Sequence, residues 1–273
     1  GVDRRPAAVV RVAGADDVAR VVTFARESGL ELAVRSGGHH RAGYGTSEGG
    51  IVIDLSGMRA LDIDVDANTA WVETGITAGE YTSVVGERGR ATGLGDTGSV
   101  GIGGITLGGG IGFLVRRYGL TIDDLLAAEV VTADGEIIQA SEESEPDLFW
   151  AIRGGGGNFG VATRLRLRLH EISEIVGGIL ILPATPEVIT GFLEAANDAP
   201  EEISTIANLM LAPPMPFIPE KAHGKPVLMG MLAGVGPMDQ AQAALAPFRE
   251  LGEPYADMVR QMVGTNVPLA WCG

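Results

Sequence analysis

The sequence predicts an α+β protein in two parts. A glycine-rich first domain spans about 1–172, and a second domain over 173–273 has a sheet backed by helices. Three observations carry this. The chain opens with a strand, a capped helix and a second strand. Its glycines are crowded into a few loops of the first part. Near His170–Glu174 the glycines thin out and a strand–helix–strand–strand–helix order takes over, which sets the boundary near Ser173.

The elements follow in order. Val9–Val12 is alternating and β-branched, so it reads as a strand. Asp16 or Asp17 is the expected cap of the helix that follows, Val18, Val21, Val22 and Ala25 form its apolar face, and Gly29 ends it. Leu32–Val34 is the second strand. Ile51–Leu55, Leu61–Val65 and Thr69–Glu73 are further strands, the middle one alternating apolar with acid and so half exposed. Thr77, with Glu80 three residues on, forms a capping box for a helix running to Arg88. Asp134-Gly135 between two apolar runs is a hairpin turn. Pro146–Ile152 is a helix with proline at its start. Phe159–Leu169 is a long strand whose Arg164, Arg166 and Arg168 form a solvated or ion-paired face. In the second part, Ile175–Leu182, Ile203–Leu211 and Pro226–Val235 read as strands, and Pro186–Ala196 and Met238–Leu251 as helices.

Composition narrows the function classes. The formal net charge is −15, and lysine occurs only at 221 and 225, so a nucleic acid or an anionic membrane finds no basic face. No apolar run reaches the length of a membrane span, and no signal peptide is evident, so a cytoplasmic location is expected. The single cysteine, Cys272, excludes an internal disulfide framework and a cysteine-rich metal site. Asp123-Asp124 lacks partners at ligand spacing and reads as a helix cap. No metal is expected.

The 41 glycines are the outlier, and eleven of them lie between Gly93 and Gly119. Three clusters stand out: Ser36-Gly37-Gly38-His39, then Thr97 through Gly112, then Gly154 through Gly160. A Rossmann fingerprint has one GxGxxG between a strand and a helix, whereas here the glycines lie in several loops, and a P-loop is excluded because no Gly-Lys-Ser/Thr occurs. Glycines spread over several loops imply a different dinucleotide cradle, in which bare backbone approaches the ligand. Two of the four histidines, His39 and His40, sit side by side in the first cluster.

Taken together, these motifs resemble the berberine bridge enzyme-like oxidases, within the vanillyl-alcohol oxidase/PCMH-type FAD-binding superfamily. The marks are Arg35-Ser36-Gly37-Gly38-His39, Thr106 through Gly112, Tyr118 through Thr121, Glu129 through Gly135, Pro146 through Arg153, and Gly154 through Val161. The resemblance implies a PCMH-type FAD-binding domain of two α/β subdomains, followed by the start of an α+β substrate domain. It implies that His39 bonds covalently to the 8α-methyl of FAD, with His40 as a neighbour. Ser36, Gly37, Gly38, His39, His40 and Gly43 would wrap the pyrophosphate, with Arg35 in the same motif. Gly101, Gly104, Gly109, Gly110 and Gly112 would approach the pyrophosphate and the flavin edge. Val130, Asn158, Gly160 and Val161 would line the adenosine or ring side. Thr97 stands where some relatives carry a second flavin-linking cysteine, so a second bond is not expected. Relatives often have Asn where Asp124 stands, and Arg153 is expected to be a structural ion-pair partner.

The implied reaction is transfer of a hydride from a C–H of a small alcohol, sugar or secondary metabolite to flavin N5, with O2 reoxidising the flavin. The family's catalytic tyrosine or carboxylate belongs to later segments, so the sequence is expected to be C-terminally truncated and no catalytic base is assigned. A dehydrogenase using another acceptor, or a flavin-binding fragment without catalysis, stays open.

Overall fold

The computed structural model describes residues 2–172 and 174–262. Ser173, at the expected domain boundary, and the terminal Cys272 lie outside the described residues. The chain divides into two compact units. Among the described residues, the first comprises those up to Gly112 together with Leu120–His170, and the second comprises Phe113–Gly119 and the chain from Glu171 to Met262.

The first unit begins with β1 (Ala8–Arg11), α1 (Ala15–Ser28), β2 (Leu32–Arg35) and β3 (Ile51–Asp54). The three strands form a parallel sheet in the order β1-β3-β2. Val18 and Val22 of α1 are buried with Val12, Ile53 and Leu55. The helix is capped not by Asp16 or Asp17 but by Gly14, in an extended conformation without a side-chain cap. Asp17 instead accepts the Ala13 N–H at 3.1 Å, and both acids lie in the first turn, where a carboxylate complements the helix dipole. Gly29 closes the helix at φ 64°, a left-handed position that glycine adopts without strain.

β4 (Leu61–Asp64), β5 (Thr69–Glu73), α2 (Ala78–Gly86), β6 (Arg90–Ala91), α3 (Ile102–Leu107) and α4 (Val115–Tyr118) follow, α4 belonging to the second unit. Next come β7 (Leu125–Val131), β8 (Ile137–Ser141), α5 (Pro146–Ile152), β9 (Val161–Arg168) and β10 (His170–Glu171). Five of these strands form an antiparallel sheet in the order β4-β5-β9-β7-β8. Its inner face presents Val72, Ala128, Val130, Leu165 and Leu167, which join Tyr81 and Val85 of α2, Ile102 of α3 and Phe149 of α5 in one core. Each valine, leucine or isoleucine enclosed there contributes roughly 1.5–3 kcal/mol. Of its three arginines, Arg164 bonds Asp62 at 2.8 Å and lies over the Trp71 ring, Arg166 donates to the Thr69 hydroxyl at 3.4 Å, and Arg168 is exposed.

The second unit continues with β11 (Ile175–Pro183), α6 (Pro186–Asp198), β12 (Ile203–Leu211), β13 (Pro226–Val235), α7 (Met238–Arg249), β14 (Ala256–Asp257) and β15 (Arg260–Met262). Its antiparallel sheet runs β12-β13-β11-β14, with β15 also paired to β11. The two long helices back it, and Phe192 and Phe248 meet edge-on at 5.0 Å between ring centres. Arg116 of α4 donates to the carbonyls of Ala196, Ala199 and Ile203, neutralising the C-terminal end of α6 with a cation. Among the described residues no helix is long and apolar enough to cross a membrane.

Candidate functional site

The parallel sheet delivers the first glycine cluster. β2 ends at Arg35, and the chain turns through Ser36 and Gly37 instead of continuing the ladder. The Ser36 hydroxyl donates to the Thr74 carbonyl at 2.5 Å, which pins this turn to the end of β5. Gly37 then meets Gly101 backbone to backbone. A Cβ built on Gly37 would lie 2.2 Å from the Gly101 nitrogen, and one on Gly101 would lie 2.2 Å from the Gly37 nitrogen. Neither position has room for a side chain, so two of the predicted clusters are joined by the absence of one.

Gly101 is also the N-cap of α3, a six-residue helix inside the glycine stretch. One side of α3 lies on protein: a Cβ on Gly103 would come 2.8 Å from the Thr74 side chain. The other side is open, because Gly104 is exposed and nothing lies within 4 Å of its Cβ position. Gly109 follows at φ 112° with equally open space, and Gly110 at φ 75° packs against Thr121. Gly112 lies so close to Leu94 that a Cβ would sit 1.4 Å from its carbonyl oxygen. The Gly154 N–H donates to the Leu107 carbonyl at 3.0 Å, tying the third cluster to the second.

His39 is exposed on the first loop, and its Nε2 is 3.0 Å from the Ser99 hydroxyl. Its other ring nitrogen, Nδ1, has no hydrogen-bond partner among the described residues. His40 behaves differently. Its Nδ1 accepts the Ala42 N–H at 3.2 Å and its ring lies against Tyr44, 4.6 Å between centres. Gly43, at φ 74°, backs onto Val2. Arg35 is exposed beside Gly38, whose Cβ position is 3.1 Å from the Arg35 Nε.

Other predicted residues take supporting places. Thr97 donates its hydroxyl to Asp96 at 3.0 Å. Asn158 donates to the Gly155 carbonyl at 2.9 Å and so braces its own loop. Gly160, at φ 136°, packs on Val130 and Val131, and Val161 is buried. Val130 is fully enclosed in the core, so its side chain faces protein. Arg153 makes no ion pair among the described residues; its guanidinium lies 4.6 Å over the Phe149 ring. Asp123 accepts the Leu120 N–H, a local cap, while buried Asp124 bonds His170 at 2.8 Å. Sequence reasoning missed Ser99 and the Thr74 carbonyl, because a lone serine among glycines carries no spacing signal.

The described residues fit a dinucleotide. The wall is bare backbone whose glycines either exclude side chains or face open space, and it contains no lysine, so N–H groups and Arg35 are the available partners for a pyrophosphate. A cleft at the start of α1, lined by Gly14, Asp16, Asp17, Arg20 and Glu129, shares none of these residues. Its three carboxylates make it unsuited to an anion. Among the described residues no group of three or more His, Cys, Asp or Glu could hold a metal ion.

Residues 6–141, which hold the first two clusters, match the family model described as FAD binding domain. The chain carries an FAD binding domain and is similar to the berberine bridge enzyme-like FAD-linked oxidases. It is 35% identical over 261 residues to (R)-6-hydroxynicotine oxidase of Paenarthrobacter nicotinovorans, covering 94% of this chain and 55% of that protein. It superimposes on the crystal structure of 6-hydroxy-D-nicotine oxidase from Arthrobacter nicotinovorans with a TM-score of 0.89 at 33% identity, over 98% of this chain and 58% of that one. BBE-like #28 from Arabidopsis thaliana follows with a TM-score of 0.80 at 30% identity, over 93% of this chain and 52% of that one. The chain thus spans about half the length of the relatives it matches.

Proposed function

We propose that this chain forms the flavin-holding part of an oxidase that removes a hydride from a C–H of a small organic substrate, with FAD attached through His39. The observation that carries this reading is the placement of His39. It is an exposed imidazole at the rim of a glycine wall, anchored at one ring nitrogen by Ser99 and, among the described residues, unengaged at the other. An imidazole nitrogen with a free lone pair is a competent nucleophile toward an electrophilic carbon.

When bound, FAD supplies a two-electron acceptor that takes the hydride and passes the electrons to O2, giving hydrogen peroxide. The chain's own residues bind and orient it. The Gly37–Gly101 contact sets the loop carrying His39 against the start of α3, and the open faces of Gly104 and Gly109 let a flat ring system lie on the backbone. The related protein named for 6-hydroxynicotine supports a small secondary metabolite as substrate, within the wider class of alcohols and sugars.

The test is direct. The purified protein is denatured and run on a gel, and the band is viewed for flavin fluorescence. Fluorescence in the wild-type band that is lost in His39→Ala is the expected result. A dark wild-type band, or an equally bright His39→Ala band, overturns the attachment. An oxygen electrode then separates the acceptors: a flat trace while a dye is reduced overturns O2 as the oxidant.

A further inference from the structure

We infer that Ser99 is a positioning residue for flavin attachment: its hydroxyl holds the Nε2 side of His39 and thereby makes Nδ1 the nucleophile. This rests on the attachment reading above and deepens it.

A neutral imidazole carries one proton, and only the nitrogen without it has an in-plane lone pair to share. The Ser99 hydroxyl lies 3.0 Å from Nε2, while Nδ1 has no hydrogen-bond partner among the described residues. A hydroxyl oxygen that accepts from Nε2–H favours the Nε2-protonated ring and leaves the Nδ1 lone pair bare. The same contact fixes the ring plane of a side chain that is otherwise exposed.

The stoichiometry gives the hydroxyl a second duty. The new bond runs from Nδ1 to the 8α-carbon, using the Nδ1 lone pair. That carbon gives up one proton and Nε2 gives up another, while two electrons pass by way of the isoalloxazine to O2. With the two protons O2 becomes hydrogen peroxide, so atoms and charge balance. After the bond forms, Nε2 is an acceptor where it was a donor. A serine hydroxyl serves both states, first accepting from Nε2–H and then donating to bare Nε2. Ser99 is itself exposed, so the departing proton has a path to water. A backbone carbonyl at this place would suit only the first state, and a backbone N–H only the second.

The setting supports an assigned contact. Ser99 sits two residues before Gly101, in the turn whose position is fixed by the Gly37–Gly101 approach. The loop bearing His39 and the loop bearing Ser99 are therefore locked together at one point, and the hydrogen bond spans them at a second.

The experiment follows attachment in flavin-free protein mixed with FAD, sampled over time on denaturing gels. Ser99→Ala is expected to bind FAD but attach it about ten-fold more slowly, the factor that one hydrogen bond is worth in a rate. Ser99→Thr, which keeps the hydroxyl, is expected to attach at close to the wild-type rate. In a His39→Ala background, adding Ser99→Ala is expected to leave noncovalent FAD affinity unchanged, which a merely structural role would not do. Nitrogen-15 shifts of His39 in the flavin-free wild type give a check independent of any variant, with the Nε2-protonated tautomer expected. Wild-type attachment in Ser99→Ala, attachment in Ser99→Thr as slow as in Ser99→Ala, or a dominant Nδ1-protonated tautomer overturns the assignment. If those results come with a flavin-free His39→Ala, only the role of Ser99 fails. Covalent flavin persisting in His39→Ala overturns the underlying reading as well.

Discussion

Gly37 and Gly101 approach so closely that a methyl group on either would sit 2.2 Å from the other's backbone nitrogen. The obstruction is backbone, which cannot swing aside as a flexible side chain does. Gly37→Ala or Gly101→Ala should therefore lower stability by about 1–3 kcal/mol, the usual cost of overpacking. The loss should appear as an earlier urea midpoint, accompanied by loss of bound flavin. A wild-type midpoint in both variants would show that the two loops separate easily.

Gly104 makes the opposite case on the same helix. Its Cβ position is open, and it lies inside α3, where glycine costs roughly 0.5–1 kcal/mol relative to alanine. Gly104→Ala should stabilise the flavin-free protein slightly while weakening flavin retention, because the methyl group occupies the open side of the wall. Thermal unfolding of the flavin-free variant, paired with titration by FAD, measures both. A variant that gains stability and keeps full affinity would remove Gly104 from the cradle.

Acid should act through Glu80. Burial pushes its carboxyl up, but hydrogen bonds from the Thr77 backbone and hydroxyl, together with the Arg59 guanidinium, outweigh this and hold it below its ordinary 4.5. A carboxyl depressed in the fold stabilises above its unfolded value, and that stability is lost as pH falls through the folded value. Melting temperature should thus fall as pH drops below about 4.5, and Glu80→Gln should remove part of that slope. Identical slopes in the two proteins would show that the capping box does not couple to pH.

Tyr81 governs the alkaline side. It is fully buried, its hydroxyl is 2.8 Å from that of Thr92, and burial raises it well above the ordinary 10.0 of a phenol, with Asp124 adding to the effect. The unfolded phenol ionises first, so this stabilisation is present below pH 10.0 and declines as pH rises beyond it. Of the four tyrosines, Tyr81 should stay un-ionised in an absorbance titration until the protein unfolds. Tyr81→Phe should cost about 0.5–1.5 kcal/mol, because Thr92 keeps its bond to the Arg168 carbonyl.

Much of this was legible because local chemistry decides it. The Thr77–Glu80 capping box and the Asp134-Gly135 turn are set by residues a few positions apart, and both form as read. The cap of α1 differs from the expected one because two acids beside a helix start look like caps, whereas Gly14 takes the extended position and leaves them in the first turn. α3 was not legible at all. Its glycines disfavour a helix by propensity, and contact with Thr74 and Gly37 overrides that. The three clusters were found as motifs, but the pairing of His39 with Ser99 spans sixty residues, and nothing local marks it.

The short passage Phe113–Gly119 leaves the first unit to pack with the second, and then the chain returns. During synthesis these residues emerge well before Ala196, Ala199 and Ile203, whose carbonyls Arg116 will hold. Phe113 and Leu114, in the same passage, are almost fully covered in the folded molecule. The first unit is therefore not a segment that can be cut out by choosing two end points. A fragment ending near His170 would keep residues 113–119 but lose the rest of the unit they cluster with.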